Sequence, residues 1–102
     1  MTDTLVHDPA ATQVVQHRLV QTAIPGPRSR ALHADREQQV ARGFGVTLPV
    51  FVAEAQGAVV VDVDGNQLVD LASGIAVTSV GASHPRVVAA VAEQARRFTH
   101  TC

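Results

Sequence analysis

Three aspartates, Asp62, Asp64 and Asp70, lie close enough together to suggest a cation site. A calcium loop needs glycine at its sixth position and an acid at its twelfth. Counting from Asp62, the glycine is fourth (Gly65) and the twelfth residue is Ser73, so that loop is excluded. Turn chemistry for Asp64 and solvent-facing strand positions for Asp62 and Asp70 are the readings that remain. His7, His17, His33, His84 and His100 include no pair at helical ligand spacing and have no partner cysteines, so no metal is expected. Cys102 is the single cysteine; it forms no intrachain disulfide, and without an activating base nearby it reads as an inert thiol. Gly43-Phe44-Gly45 lacks the third glycine of a dinucleotide fingerprint, since Leu48 stands in its place and no strand precedes it. No Gly-x-Ser-x-Gly elbow is present. From the residues alone, no complete active site assembles.

The elements that would position these groups centre on residues 57–85, GAVVVDVDGNQLVDLASGIAVTSVGASHP. Val59, Val60, Val61 and Val63 are β-branched and favour a strand over Ala58 to Val63. Asp64-Gly65 is the reversal, with Gly65 supplying positive φ, and Gln67 to Leu71 is the return strand. A two-residue loop pairs Val61 with Leu68 and Val60 with Val69; a three-residue loop with a bulge shifts that register by one. Both registers remain open at this level.

Upstream, residues 1–13 read as a polar tail. Val14 to Thr22 alternates apolar and polar residues and suits either a short strand or a helical turn. Two prolines make Ala23 to Arg28 a rigid bend, an arm laid over another surface. Ser29 is the expected N-cap of a surface helix running to about Arg42, with Gly43 as its C-terminal stop. Leu48 to Glu54 is a strand candidate with Pro49 at its start, and Gln56-Gly57 turns it into the hairpin. Three short strands so joined form an antiparallel meander. Ala72 to Ser83 is a loop of small residues, where backbone can approach a ligand closely. His84-Pro85 opens the last helix, with Pro85 at the first helical position and His84 or Ser83 as cap. Val88, Val91, Ala92, Ala95 and Phe98 recur at three and four and are expected to form a buried face, with Glu93 and Arg97 paired on the outside. The fold class is therefore an α+β fragment: arm, helix, three-stranded antiparallel meander, helix.

With 102 residues the chain is at most one domain. It is 46% hydrophobic with formal charge −1, which excludes a disordered chain. The apolar content is mainly valine and alanine, and Phe44, Phe51 and Phe98 are the aromatics, so the core is thin and the chain is expected to need something larger to pack against. A near-neutral charge excludes the clustered basic face of a nucleic-acid binder; Arg96-Arg97 reads as a solvated helix end. No apolar run approaches the ~20 residues of a membrane span, and no secretory leader is recognisable, so a cytoplasmic protein is expected. All eight basic residues (Arg18, Arg28, Arg30, Arg36, Arg42, Arg86, Arg96 and Arg97) are arginine, and lysine is absent.

Several segments in this order resemble the N-terminal portion of class III aminotransferases, pyridoxal-phosphate enzymes of the α/β type I fold. They are Gly57 to Asp70 with Asp62-Val63-Asp64-Gly65, Ser73-Gly74-Ile75-Ala76-Val77, and Gly81-Ala82-Ser83-His84-Pro85 running on to Val91. The Gly-Ile-Ala-Val loop, His100-Thr101-Cys102 and the lead-in from Ala23 to Ser29 are similar to the 4-aminobutyrate aminotransferase branch. The resemblance covers about residues 14–102 and implies a tail and arm over 1–28, then the first part of a small lobe over 29–102, incomplete at its C-terminus.

The resemblance further implies that Ile75 lines the substrate pocket, with Gly74 and Ala76 supporting the loop. The full enzyme of such a family passes an amino group from an ω-amino acid through pyridoxal 5'-phosphate to 2-oxoglutarate, in dimers or larger assemblies, without nucleic acid or membrane. Its cofactor lysine, its carboxylate for the pyridine nitrogen and its phosphate donors lie downstream of the matching segment. No catalytic or cofactor-binding residue is therefore expected in this chain, which should be inactive alone. The alternatives are a related ornithine, acetylornithine or diaminobutyrate aminotransferase, or a non-catalytic binding or dimerising module.

Overall fold

A computed structural model describes residues 13–100. The expected tail up to residue 12, with His7, and Cys102 lie outside the described residues. The element order is α1 (Pro27–Gln39), β1 (Val52–Gln56), β2 (Val59–Asp62), β3 (Gln67–Val69), the single turn α2 (Ser73–Ala76) and α3 (Pro85–Arg97). The strands form one antiparallel sheet in the order β1-β2-β3, the predicted meander. β1 is shifted towards Gln56 from its expected start at Leu48, and a bulge between Val52 and Glu54 bends its first half. The β1–β2 reversal is the pair Gly57-Ala58, with Gly57 at φ 59°.

The β2–β3 hairpin takes the longer of the two loops. Val61 pairs with Gln67, Val60 with Leu68 and Val59 with Val69. Gly65 N–H donates to Asp62 O at 3.0 Å, Asp62 N–H donates to Asn66 O at 3.0 Å, and Gly65 sits at φ 84°. This is a three-residue loop closed by a glycine in the left-handed region.

Asp62, expected to face solvent, is 2% exposed. A buried carboxylate is tolerable when its oxygens are saturated. Oδ1 accepts the N–H groups of Asp64 (2.9 Å) and Asn66 (2.8 Å), and Oδ2 accepts Asn66 Nδ2–H at 2.8 Å. Asn66, itself fully buried, completes the knot: its Oδ1 accepts Gln21 N–H (2.8 Å) and Thr22 N–H (3.0 Å), and Nδ2 also donates to Thr22 Oγ1 at 2.9 Å. All four hydrogen-bonding positions of the amide are thus used.

That amide stitches the arm to the hairpin. Residues 14–22 form neither a regular strand nor a helical turn; they run extended with bends and make a single bridge, Leu19 to Gln67, with bonds of 3.0 and 2.7 Å. The Gln16 side chain donates to Gln56 O at 2.9 Å and accepts Ala58 N–H at 3.1 Å, while Gln56 Oε1 accepts Val14 N–H at 3.0 Å. Among the described residues Val14 and Val59 are the buried apolar side chains, against Ser29, Asp62 and Asn66 among the polar ones. The centre of this chain is a hydrogen-bond network more than an apolar core.

Helix α1 starts two residues before the expected cap. Gly26 is the N-cap, Pro27 takes the first helical position, and Ser29 lies buried in the first turn. The capping acceptor is remote: Asp64 Oδ1 accepts Arg28 N–H at 2.7 Å and Oδ2 accepts Ser29 N–H at 2.9 Å. A side chain on Gly26 would collide with the Asp64 carboxylate, so the N-cap must lack one. The helix ends at Gln39, with Val40 turning extended well before Gly43.

Helix α3 begins as read, with Pro85 at its first turn and His84 at the N-cap, but the His84 side chain makes no capping bond and its Nδ1 is buried without a partner. The apolar stripe expected to be buried is open: Val91 is 62% and Phe98 55% exposed. Neither long helix packs extensively on the sheet. The radius of gyration, 16.5 Å, exceeds the roughly 13 Å of a compact domain of this length. Among the described residues nothing packs over it, and a helical stripe without a facing element stays in solvent whatever its periodicity. Glu93 pairs with Arg96 (3.3 Å) rather than with Arg97.

Candidate functional site

The loop after β3 holds three of the four non-glycine residues at positive φ among the described residues. Asp70 N–H donates to Ala58 O at 2.9 Å, closing the sheet edge. Its carboxylate then turns forward: Oδ1 accepts Ala72 N–H and Oδ2 accepts Gly74 N–H, each at 3.1 Å. Asp70 is therefore an anchor for the loop, not the solvent-facing strand residue expected. The available signal was an aspartate two residues before a small-residue run, the usual seat of a side chain that bonds backbone ahead of it.

The next residues make a turn of left-handed helix. Ser73, Gly74, Ile75 and Ala76 have φ of 50°, 61°, 66° and 60°. Ala76 N–H donates to Ala72 O at 2.9 Å, and Ser73 O accepts from Val77 (2.9 Å) and Thr78 (3.1 Å). The left-handed region costs about 1–2 kcal/mol per non-glycine residue, and a β-branched residue there is an outlier. Ile75 is that residue, and its side chain is 84% exposed. Strain of this kind is retained where function requires a fixed geometry. The three residues expected to form the site, Gly74, Ile75 and Ala76, are thus one structural unit.

The loop returns to the sheet by a backbone bridge. Gly57 N–H donates to Ala82 O at 2.9 Å and Ala82 N–H to Gly57 O at 2.8 Å. The left-handed turn is therefore fixed at both ends, by Asp70 before it and by Gly57 after it. On either side of the bridge, Val80, His84 and the Val87, Ala90, Val91 and Gln94 side of α3 line an open groove of about 650 Å³; Ile75 is not among its lining residues.

The chemistry available at this loop is shape and exclusion. Ile75 is an exposed apolar side chain, Leu71 and Val77 flank it as further exposed apolar groups, and no titratable side chain belongs to the turn itself. No cluster of three or more histidine, cysteine or acidic side chains suited to a metal exists among the described residues. Among them also, no helix is long and apolar enough to cross a membrane. The Asp64 carboxyl is displaced from its ordinary titration. Desolvation pushes its pKa up, but the Ser29 side chain and the N–H groups of Ser29 and Arg28, with the Arg28 charge, outweigh this and hold it below the ordinary carboxylate value. Among these the backbone bonds carry the effect, because Ser29 Oγ makes no hydrogen bond of normal geometry.

Residues 40–102 match the family "Aminotransferase class-III". The chain is 61% identical to a 4-aminobutyrate aminotransferase of Mycobacterium tuberculosis over 87 residues, 85% of this chain and 19% of that protein. It is 46% identical to the 5-aminovalerate aminotransferase of Pseudomonas putida, over 72% of this chain and 17% of that one. Among solved structures, an ornithine aminotransferase of Toxoplasma gondii with partial occupancy of PLP at its active site superposes with a TM-score of 0.62. Its sequence identity is 32%, over 81% of this chain and 21% of that one. The chain thus spans about a fifth of the length of the curated relatives it matches.

Pyridoxal phosphate does not fit the residues present as a covalently held group. The sequence contains no lysine to hold it. The family match covers more than half of the chain, and the chain belongs to the class III aminotransferases.

Proposed function

We propose that this chain is the N-terminal part of a 4-aminobutyrate:2-oxoglutarate aminotransferase, and that it does not catalyse transamination alone. The observation that carries the reading is 61% identity to a 4-aminobutyrate aminotransferase over 87 residues, against 37% and 32% to the ornithine and acetylornithine aminotransferase structures. In this reading residues 1–28 are a tail and arm, and residues 29–102 begin the small lobe. Ile75 walls the channel for a flexible, unbranched ω-amino acid, excluding water beside the reacting amine. Gly74 and Ala76 keep the turn that presents it. The amine that carries the cofactor comes from elsewhere in the full-length protein, which acts as a dimer or larger assembly in the cytoplasm.

The test is an amino-transfer assay on the full-length protein carrying this sequence, supplied with pyridoxal phosphate and 2-oxoglutarate. Glutamate and succinate semialdehyde should form from 4-aminobutyrate with a higher kcat/KM than the corresponding products from ornithine, acetylornithine or diaminobutyrate. Preference for any of those three donors would move the chain to that branch. The 102-residue chain by itself should show no turnover.

A further inference from the structure

The Asp70 carboxylate reaches forward to the two amides that open the left-handed turn, with Oδ1 on Ala72 N–H and Oδ2 on Gly74 N–H, both at 3.1 Å. No other side chain among the described residues bonds to the turn's backbone. The turn costs strain at Ser73, Ile75 and Ala76, and its own bonds run from Ala76, Val77 and Thr78 back to the carbonyls of Ala72 and Ser73, leaving the opening amides of Ala72 and Gly74 to Asp70. A chain free to relax would return these residues to negative φ. Ile75 would then turn away, because its direction depends on the φ and ψ of its own and the preceding residue.

We infer that Asp70 is a positioning residue for donor selection: by holding the Ala72 and Gly74 amides, it keeps Ile75 at the angle that measures donor length. This inference rests on the reading of Ile75 as a pocket wall given above. It assigns Asp70 no contact with substrate or cofactor. Its chemistry is that of an ionised acceptor whose two oxygens each serve one amide, and such bonds are stronger than neutral ones. Asp70→Asn keeps one accepting oxygen and Asp70→Ala keeps none, so the two variants grade the loss.

The experiment is carried out on the full-length protein with its cofactor. kcat/KM is measured for 4-aminobutyrate and for 5-aminovalerate, one methylene longer, in the parent, Asp70→Asn and Asp70→Ala. The quantity read is the ratio of the two values within one preparation. A fraction of misfolded or inactive protein lowers both values equally and leaves that ratio alone. A methylene is worth roughly 10–200-fold where a pocket reads it, so the ratio should shift about fivefold or more in Asp70→Ala and by a smaller factor in Asp70→Asn. If Asp70→Ala cannot be purified, Asp70→Asn decides. A ratio within about twofold of the parent in the purified variants overturns the inference alone. A parent without transaminase activity on either donor overturns the functional reading and this inference with it.

Discussion

Asp64, at the tip of the β2–β3 hairpin, closes the N-terminus of α1 through Ser29, thirty-five residues earlier in the chain: Asp64 Oδ2 accepts the Ser29 amide at 2.9 Å. A helix whose first residues are Pro27 and Arg28 has amides pointing at solvent with no cap of its own, and the hairpin supplies one. The arrangement holds sheet and helix together with a pair of backbone-to-carboxylate bonds and little buried surface.

The bonded carboxylate has a depressed pKa, so its contribution is complete above the ordinary carboxylate range and is lost as pH falls through the folded-state value. Exchange protection of the Arg28 and Ser29 amides should accordingly be constant near neutrality and fall only under acid conditions. Asp64→Asn should remove that pH dependence while lowering protection at all pH values. Protection that falls between about pH 8 and pH 6 would point to a different group.

Replacing Asn66 leaves the Gln21 and Thr22 amides without their acceptor and one oxygen of buried Asp62 without its donor. Each unsatisfied buried group costs about 1–3 kcal/mol, so Asn66→Ala should destabilise by at least about 2 kcal/mol. Limited proteolysis should then cut first within residues 14–22, which the amide secures. Unchanged denaturant midpoints would show that solvent replaces these bonds without penalty.

The open stripe of α3 should bind a hydrophobic dye when the 102-residue chain is prepared alone. Changing Val88 and Val91 to glutamine should reduce the fluorescence, with stability altered by no more than about 0.5 kcal/mol, since both side chains are already in solvent. A large loss of stability in that double variant would mean the stripe is covered in solution.

Ile75 offers a contrast between strain and burial. Ile75→Gly relieves about 1–2 kcal/mol of left-handed strain, offsetting the ~0.5–1 kcal/mol entropic cost of glycine. If the proposed function holds, the Tm of the full-length protein should therefore hold or rise slightly, while preference between donors of different length should fall about tenfold. A lower Tm with intact preference would make Ile75 an ordinary core residue.

The strand and turn assignments were legible because β-branched runs and Asp64-Gly65 act locally, and the meander follows from them. Register was not, because the choice between a two- and a three-residue loop depends on Asn66 bonding back to Asp62, and on the arm that Asn66 also binds. Ser29 looked like a cap for the same reason of locality: it is a good capping residue, but the acceptor that won lies in the hairpin. Ile75, Gly74 and Ala76 came from resemblance, and nothing in their side chains announces left-handed backbone. Asp70 was passed over because an aspartate at a strand end has a bland reading, and its two forward bonds exist only once the turn is made. The α3 stripe was read correctly as periodic; whether a periodic stripe is covered depends on what faces it.

Gln21 and Asn66 are 45 residues apart, and this separation sets an order of events during synthesis. At about 5–20 residues per second, the arm emerges from the ribosome roughly 2–9 s before the amide that will hold it. The hairpin closes over a few residues in microseconds once Asn66 has appeared. The arm therefore waits, unpaired, for a template that then forms almost at once, and any factor that recognises nascent extended chain has those seconds in which to act.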